Sequence, residues 1–555
     1  MKRIIALFCA FVLLFTLLVT SLGSCNLINP NKPDENPGGT PGDNPGETPE
    51  EEGFVGYGDD FRIVREMTMN EDKHLFVFNK TENLSFAELV VAQAIQGIYA
   101  RTNAKYYCWS SGSYEVWLED MVEHYGITYE YTTLEEMVKS YINDYGKDYV
   151  LYNRSSLPES TNSACAIAGV TGYLPVDESI KAKMESYGLE IKIDASNMTE
   201  RTCFDLYKDS FNTDGIVQQN PNNVRLRDWQ IACGYFIFFR QGTETKDLMF
   251  RGEVHEWVDE DAAMFGWVPN DEGQDVTVAS QYGQFTIPSD HSLNTTIFAC
   301  KNAFGEADFT QKAKETDIVA EDGKHYVTIM MSDGDNVQVW YNSFPFNTNY
   351  LGAERDNSFP MGWSIQPALL ELGPNVLNYV KRNAGEKDYF VCSVSGIGYI
   401  YPQVYPTMDT YTKALSAYMR RADLSVLQIL DSGPSDEVID YYAQIPELKG
   451  GIYCYGDRYA AGHGSIYWSN DKPFVSVRET MWNENIEAMA ERINSYSRDP
   501  SSIEGYTVLN IHPWSHSYQD VVKLVSLLDE NVVIVTADDF IRLVTENVPH
   551  EDVIR

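Results

Sequence analysis

The sequence YVTIMMSDGDN at residues 326–336 carries the feature that decides the fold of this chain, a β-branched, apolar run that ends abruptly in acids and glycine. Seven further runs of this kind follow, at residues 361–365, 389–394, 425–430, 451–455, 474–477, 506–511 and 532–535. Short apolar runs bounded by turn residues are typical of strands buried on both faces. We therefore predict eight strands in the C-terminal half of the chain.

Helical patterns lie between most of these runs. One of them places apolar side chains three and four positions apart at Ile486, Met489, Ala490 and Ile493. Alternation of strand and helix over residues 316–555 favours a parallel, TIM-like (β/α) barrel of about 250 residues over an antiparallel sandwich. The connection between residues 455 and 474 has no helical pattern, so a distorted or seven-stranded barrel is the alternative to eight strands.

Residues 59–315 show scattered strands and irregular connections. Apolar and β-branched composition predicts strands at residues 74–78, 147–152, 164–170 and 190–193. Apolar spacing predicts helices at residues 86–99 and 178–187, and residues 281–296 read as a loop. The predicted fold class is therefore α/β, with irregular α/β subdomains at residues 59–145, 146–230 and 231–315 before the barrel domain at 316–555.

The first 58 residues are organised as an export signal and a linker. Lys2 and Arg3 precede an apolar run, and Leu-Gly-Ser-Cys at residues 22–25 resembles the bacterial lipobox, in which a peptidase cuts before Cys25 and the sulfur carries diacylglycerol. Residues 25–58 are rich in Pro, Gly and acids and cannot form a core. We expect a signal peptide at residues 1–24 and an exported protein, lipid-anchored to the cell envelope through Cys25 and facing outside.

Composition limits the partners of this protein. The chain has 555 residues, with 42 Lys and Arg against 81 Asp and Glu, and a net charge of −39. This charge excludes nucleic acid as the main partner, because phosphate backbones bind basic surfaces. Seven cysteines follow Cys25 without a CxxC spacing, so we expect buried free thiols, with one disulfide as the alternative. The oligomeric state is open.

Polar and ionisable residues follow nearly every predicted strand. Chemistry in a (β/α) barrel lies on the loops after the carboxyl ends of the strands, so these side chains are expected to meet at one rim. The candidate catalytic residues are Asp333, Asp335 and Glu479. The candidate substrate-binding residues are Asn336, Trp363, Gly396, Gly398, Tyr399, Tyr401, Asp431, Arg478, His512, Trp514 and His516. Acids for proton transfer and flat rings for stacking favour a carbohydrate substrate.

Residues 396–402 read GIGYIYP. Two glycines just past a strand permit backbone shapes denied to other residues, and Tyr399 and Tyr401 offer stacking faces with hydroxyls. A strained turn that serves packing alone is the alternative. The stretch reproduces the GxGYxYP signature in full, and on it the chain resembles a bacterial family catalogued as GxGYxYP putative glycoside hydrolases. The layout is also similar, with irregular N-terminal subdomains before a barrel-like C-terminal domain. The resemblance implies the fold and the family, and it supplies no catalytic residues.

Three functions are compatible with these residues. In a glycoside hydrolase acting on extracellular glycans, Glu479 would donate a proton and Asp333 or Asp335 would act as nucleophile or base, without a cofactor. In a metal-dependent carbohydrate deacetylase, a divalent ion at Asp333, Asp335, His512 and His516 would activate water. In a glycan-binding lipoprotein without catalysis, rings would hold the sugar and acids would only accept hydrogen bonds. We prefer the glycoside hydrolase.

Overall fold

The computed structural model describes residues 54–78, 83–108, 112–241, 244–269 and 272–555. The predicted signal peptide, Cys25 and most of the linker lie outside the described residues. In the described part of the chain, no helix has both the length and the apolar character needed to cross a membrane. The seven cysteines after Cys25 are buried free thiols, as the sequence predicted.

The chain alternates between strands and helices. The strands are β1 (His74–Phe78), β2 (Tyr106–Tyr107), β3 (Thr128–Thr132), β4 (Asp148–Tyr152), β5 (Leu174–Asp177), β6 (Glu190–Asp194), β7 (Asn212–Gln218), β8 (Tyr235–Phe238), β9 (Ala263–Gly266), β10 (Phe285–Ile287), β11 (His325–Met331), β12 (Met361–Ile365), β13 (Asp388–Cys392), β14 (Val426–Leu430), β15 (Gly450–Cys454), β16 (Ile466–Ser469), β17 (Lys472–Ser476), β18 (Glu479–Met481), β19 (Tyr506–Ile511) and β20 (Val532–Val535).

The α-helices span Phe86–Ala100, Gly112–Tyr125, Leu134–Tyr145, Ser160–Thr171, Lys181–Ser186, Glu200–Tyr207, Arg227–Cys233, Thr245–Trp257, Glu272–Gln281, Thr295–Phe298, Lys301–Phe304, Val337–Asn342, Leu369–Leu372, Pro374–Asn383, Met408–Arg421, Asp436–Ala443, Ile486–Ser495, Tyr518–Ser526 and Ala537–Asn547. Several of them begin at a capping box, in which a hydroxyl and a carboxylate three residues later satisfy the first free N–H groups. These pairs are Ser85 with Glu88, Thr133 with Glu136, and Ser517 with Asp520.

Three small parallel sheets form the N-terminal half, in the orders β2-β1-β3, β5-β4-β6 and β10-β9-β7-β8. We call the last of these the third sheet. Because β7 pairs with β8 and β9, the predicted boundary at residues 230/231 cuts through the third sheet. The strand predicted at residues 164–170 is wrong, since these residues lie in the helix Ser160–Thr171. Gly169 has Gln230 Nε2 only 3.1 Å from where its Cβ would lie, so small side chains here serve close packing against the helix Arg227–Cys233.

The fourth sheet contains the strands predicted in the C-terminal half, each within two residues of its predicted bounds. Its order is β16-β17-β15-β14-β13-β12-β11-β19-β18, and β20 pairs with β11 outside this order. The pairs are parallel except for the β16–β17 hairpin, which lies in the connection that lacked a helical pattern. The α/β class with parallel sheets is therefore confirmed.

The segment that runs from β17 into β18 contacts strands on both of its sides. Val477 N donates to Tyr453 O at 3.0 Å, and Arg478 N donates to Val508 O at 3.1 Å. The first bond continues the ladder with β15, and the second precedes the ladder with β19.

The third sheet is joined to the fourth sheet through the loop that follows β13. Thr286 N donates to Tyr399 O at 2.9 Å, and Tyr399 N donates to Thr286 O at 2.8 Å. Tyr401 N donates to Ser280 Oγ at 3.0 Å. Carboxyl ends of parallel strands meet at one edge of a sheet, and this contact brings the third sheet to that edge.

Candidate active site

The loop after β11 carries two carboxyl groups and is held tightly in place. Gly334 N donates to Ser364 Oγ at 2.8 Å, and Trp340 Nε1 donates to Gly334 O at 2.9 Å. A Cβ on Gly334 would lie 1.7 Å from the Ser364 carbonyl oxygen, so only glycine fits against β12 here. Asp333 has φ of 66°, a left-handed conformation that is unfavourable for residues with a side chain and is concentrated at functional sites.

Asp333 and Asp335 face a cavity of about 210 Å³ between the third sheet and the fourth sheet. Its acidic lining groups are Glu272, Asp333 and Asp335, and its aromatic lining groups are Trp267, Tyr399, Tyr459 and Trp514. The described residues that line it include no Lys or Arg. The cavity therefore combines carboxyl groups with flat rings, and nothing basic neutralises the acids from within it.

Asp335 is the most strongly perturbed carboxyl group of the cavity. It is only 4% exposed, and its burial, together with the charges of Asp333 and Glu272, raises its pKa well above the ordinary value. Asn336 Nδ2, which donates to Asp335 Oδ1 at 3.3 Å, partly opposes this rise. Asp335 is therefore suited to carry a proton near neutral pH.

Asp333 has a more polar environment. Ser332 Oγ donates to Asp333 Oδ2 at 2.7 Å, and Trp514 Nε1 donates to Asp333 Oδ1 at 3.3 Å. Burial raises the pKa of Asp333 above its ordinary value, and these two donors and the nearby His512 only partly oppose the rise. Of the two neighbouring acids, Asp333 is therefore the one whose ionised form is better stabilised.

Glu272 and Trp267 reach the cavity from the third sheet. Trp267 directly follows β9, and Glu272 begins the helix Glu272–Gln281. Tyr399 Oη donates to Glu272 Oε1 at 3.1 Å, and the rings of Trp267 and Tyr399 stack at 6.3 Å. Loss of water around the Glu272 carboxyl and the charge of Asp333 raise its pKa, whereas the Tyr399 hydroxyl lowers it.

Aromatic rings continue beyond the cavity along its rim. The His512 ring stacks on Trp482 at 3.7 Å, and Tyr459 meets Trp482 edge-on at 5.3 Å. Trp514 is 54% exposed. Burial and the neighbouring His516 lower the pKa of His512 against the opposing effect of Asp333, so the ring is neutral at neutral pH.

The structure brings some of the predicted site residues together. Asp333, Asp335, Asn336, Tyr399 and Trp514 line the cavity. Tyr401 adjoins it, because its hydroxyl lies 3.3 Å from the Tyr399 hydroxyl. His512 is not part of the lining, but it is close enough to Asp333 to affect its pKa.

Glu479 and Arg478 lie elsewhere. Both line a separate, larger cavity of about 620 Å³. Glu479 Oε2 accepts from Arg492 Nη2 at 2.9 Å, and Glu479 Oε1 accepts from Tyr496 Oη. Arg478 stacks 3.6 Å above the Tyr496 ring and bonds Glu504 rather than Glu479. The proton donor expected from the sequence is thus held in an ion pair and is absent from the lining of the carboxyl cavity.

The two motif glycines serve packing instead of ligand contact. Gly396 has φ of 137°, and a Cβ there would lie 2.6 Å from Tyr411 Oη. A Cβ on Gly398 would lie 2.6 Å from the Phe285 ring and 2.9 Å from Thr286 O. The two glycines of the motif therefore fit the alternative interpretation, a strained turn that serves packing alone. Tyr399 forms part of the cavity wall.

Trp363, Asp431 and His516 also have structural partners. Trp363 is fully buried against Arg355 and Tyr518, so a substrate cannot reach it. Asp431 Oδ2 accepts from Gln403 N at 2.9 Å and holds the loop after the motif. His516 Nε2 accepts from Asn483 N at 3.3 Å. The side chains of all three are therefore directed to packing or loop contacts.

The alternative metal site is not assembled by these residues. In the part of the chain that the structure describes, no group of three or more His, Cys, Asp or Glu is arranged to hold a metal ion. His512 Nδ1 lies 3.0 Å from Ser515 Oγ, and His516 uses Nε2 for a backbone bond. The two imidazoles therefore do not converge on Asp333 and Asp335 as ligands.

Sequence reasoning missed Trp267, Glu272 and Tyr459. Trp267 directly follows β9, a kind of position that points to a site, but the sequence predicts no strand at residues 263–266. Tyr459 lies in the loop after β15 and has φ of 66°, which no composition pattern indicates. Glu272 carries no local signal, because its position depends on contact between two sheets.

The fold and the site define a class of protein: a multidomain α/β chain with an acidic, aromatic-lined cavity at the edge of a parallel sheet. Models of four domains of one family match consecutive parts of this chain. They are the GxGYxYP_N 1st domain at residues 74–143, the GxGYxYP_N second domain at 147–211, the GxGYxYP third domain at 213–300 and the GxGYxYP putative glycoside hydrolase C-terminal domain at 323–545. The chain belongs to the GxGYxYP family.

A solved structure supports the same placement. The crystal structure of a protein described as a putative hydrolase from Bacteroides thetaiotaomicron VPI-5482 superimposes with a TM-score of 0.80 at 26% sequence identity. The match covers 90% of this chain and 98% of the other. A comparison with curated proteins found no match.

Proposed function

We propose that this protein is a glycoside hydrolase that acts on extracellular glycans through Asp333 and Asp335. One observation carries the proposal: two carboxyl groups of one rigid loop share an aromatic-lined cavity but differ in environment. Asp335 is buried beside two other acids, whereas Asp333 accepts hydrogen bonds from Ser332 and Trp514. Neighbouring acids whose surroundings separate their pKa values can divide the roles of acid and base.

The roles follow from these environments. Asp335, which retains its proton, would donate it to the glycosidic oxygen as the bond breaks. Asp333, which is more easily ionised, would attack the anomeric carbon or activate a water molecule. The rings of Trp267, Tyr399 and Trp514 would stack on the apolar faces of the sugar and exclude water. This assignment moves the acid from Glu479, favoured by the sequence, to Asp335.

We also propose that the fourth sheet closes into a seven-stranded barrel, formed by β11 to β15, the β17–β18 segment and β19. The bonds from Val477 to Tyr453 and from Arg478 to Val508 support closure, because they join this segment to β15 and to β19. The cavity would then lie at the carboxyl-end mouth of the barrel, where enzymes of this architecture carry their active sites.

The location of the protein is a separate proposal that rests on the lipobox-like residues 22–25. Lipid on Cys25 would hold the protein at the outer face of the envelope and give it access to glycans. Changing Cys25→Ala is expected to release the protein into the soluble fraction, because the acceptor sulfur is lost. Fractionation and immunoblotting measure this, with Cys108→Ala as a matched control; retention of the Cys25→Ala protein in membranes would refute lipidation.

Turnover assays with a chelator separate the proposed function from the deacetylase. On a panel of aryl glycosides and acetylated glycans, we expect release of the aryl group at a rate that exhaustive chelation does not change, because both reacting groups are side chains. Changing His512→Ala is expected to lower turnover less than about tenfold, since the His512 ring is not among the groups that line the cavity. Acetate release that stops on chelation would instead establish the deacetylase, and glycan binding without turnover would establish the binding protein.

A further inference from the structure

Part of the cavity wall belongs to the third sheet and not to the sheet that carries the proposed acid and base. Glu272 lines the cavity, and its Oε1 accepts a hydrogen bond from Tyr399 Oη at 3.1 Å. The backbone N–H and C=O groups of Tyr399 both form hydrogen bonds with the backbone of Thr286 in β10. The motif loop therefore sets the position of Glu272 relative to Asp333 and Asp335.

The cavity is lined by acidic groups without basic ones among the described residues. Its acidic lining groups among the described residues are Glu272, Asp333 and the protonated Asp335, and it has no Lys or Arg there. The other ionisable groups near Glu272 are the phenols of Tyr399, Tyr401 and Tyr459, whose pKa values burial raises, so they are uncharged at neutral pH. A ligand that brought its own negative charge would meet like charges without a compensating cation, which costs binding energy.

We propose that Glu272 is the specificity-determining residue of this site, selecting an uncharged sugar ring and excluding sugars that carry a carboxylate, such as uronic acids. The inference rests on the proposed function. Carboxylate oxygens accept hydrogen bonds from sugar hydroxyls, so Glu272 attracts an uncharged ring while it repels an anionic one. The cavity of about 210 Å³ is smaller than typical pockets for drug-sized ligands of about 300 Å³ or more, which favours a small ligand such as a single sugar ring.

Glu272 can be changed without removing either proposed reacting group. Asp333 and Asp335 carry the proton transfer, so changing them stops turnover of every substrate. Glu272 supplies no proton in the proposed mechanism, and the Tyr399 hydroxyl acts on it as a positioning group. Replacing Glu272 by Gln keeps the shape and the acceptor oxygen but removes the charge, and therefore isolates the electrostatic contribution.

The test compares an aryl hexoside with the matching aryl hexuronide, which differ only at C6. In the wild type we expect kcat/KM to favour the hexoside, and this preference should grow as the pH rises and Glu272 ionises. In Glu272→Gln the preference is expected to fall about tenfold, because the repelling charge of Glu272 is lost and only that of Asp333 remains while Asp335 keeps its proton. Tyr399→Phe should lower the preference less, by about threefold. Glu272 keeps its charge in this variant but loses the hydrogen bond donated by the Tyr399 hydroxyl.

Glu256→Gln is the control for the loss of one acid, because Glu256 is exposed on the helix Thr245–Trp257 and does not line the cavity. It should leave the preference unchanged. An unchanged preference in Glu272→Gln, or an equal fall with Glu256→Gln, would overturn the inference while leaving the proposed function standing.

Calorimetric binding of the free hexose and the free hexuronic acid separates the two proposals. If no substrate is turned over but the wild type binds the hexose and rejects the hexuronic acid, and Glu272→Gln reduces this difference, the inference holds and the proposed function fails. Equal binding of both sugars by the wild type, or binding of neither, would overturn the inference.

Discussion

Asp335→Asn is expected to lower turnover of unactivated glycosides about 10³-fold, because an amide cannot deliver the proton that the leaving oxygen needs. Substrates whose leaving groups need no proton should be largely spared. Asp333→Asn should lower turnover on both kinds of substrate, since it removes the nucleophile or base. Steady-state kinetics of both variants on aryl glycosides of graded leaving-group acidity measure this difference.

Glu479→Gln is the control for the choice of acid. Glu479 is paired with Arg492 and Tyr496 outside the carboxyl cavity, so its change should lower stability and leave kcat nearly unaltered. The opposite result, with Glu479→Gln inactive and Asp335→Asn active, would restore the acid predicted from the sequence and reject the one proposed from the structure.

Asp335→Asn is also expected to change how the stability of the protein depends on pH. The raised pKa of Asp335 means that the folded protein binds more protons than the unfolded chain between the ordinary pKa of an aspartic acid and the raised one. Through this window the contribution of Asp335 to stability falls as the pH rises. The Asn variant has no such proton, so its melting temperature should exceed that of the wild type by a margin that grows toward neutral pH.

Gly334→Ala is expected to disrupt the active site and to destabilise the protein. The added methyl group would lie 1.7 Å from Ser364 O, so the loop must move away from β12. Overpacking of this kind costs about 1–3 kcal/mol, and a displacement of about 1 Å at reacting groups can lower turnover about 10²-fold. Thermal unfolding and turnover of a hexoside measure the two effects.

Gly433→Ala is the matched control, because a Cβ at Gly433 would meet nothing within 4 Å. This glycine lies in the loop after β14, the same kind of position as Gly334 after β11. Its change should leave both stability and turnover close to the wild type. If Gly334→Ala behaves like Gly433→Ala, the loop is not held as tightly as the structure indicates.

Much of the fold was predictable from local patterns. Strands such as residues 361–365 and 506–511 were predicted with their observed bounds, because a buried parallel strand must be apolar on both faces. The strand predicted at residues 164–170 failed because small and apolar residues also suit a helix packed closely against another, as Gly169 shows. Composition alone does not distinguish these two forms of burial.

The site was only partly predictable for a related reason. Asp333 and Asp335 were found because they follow a strong strand signal, and their position after it is a local property. The burial of Trp363 and the ion pair of Glu479 could not be found this way, since a position in or beside a strand does not indicate which other parts of the chain pack against the side chain.

By itself the sequence determined the α/β class, the strands of the fourth sheet, the family motif and the two acids after β11, because each depends on residues close together in the chain. Only the tertiary structure decided which groups share the cavity. Glu272 and Trp267 join Asp333 and Asp335 through a backbone pairing between Thr286 and Tyr399, more than a hundred residues apart. Such a contact depends on how two sheets pack, and no local pattern in the chain records it.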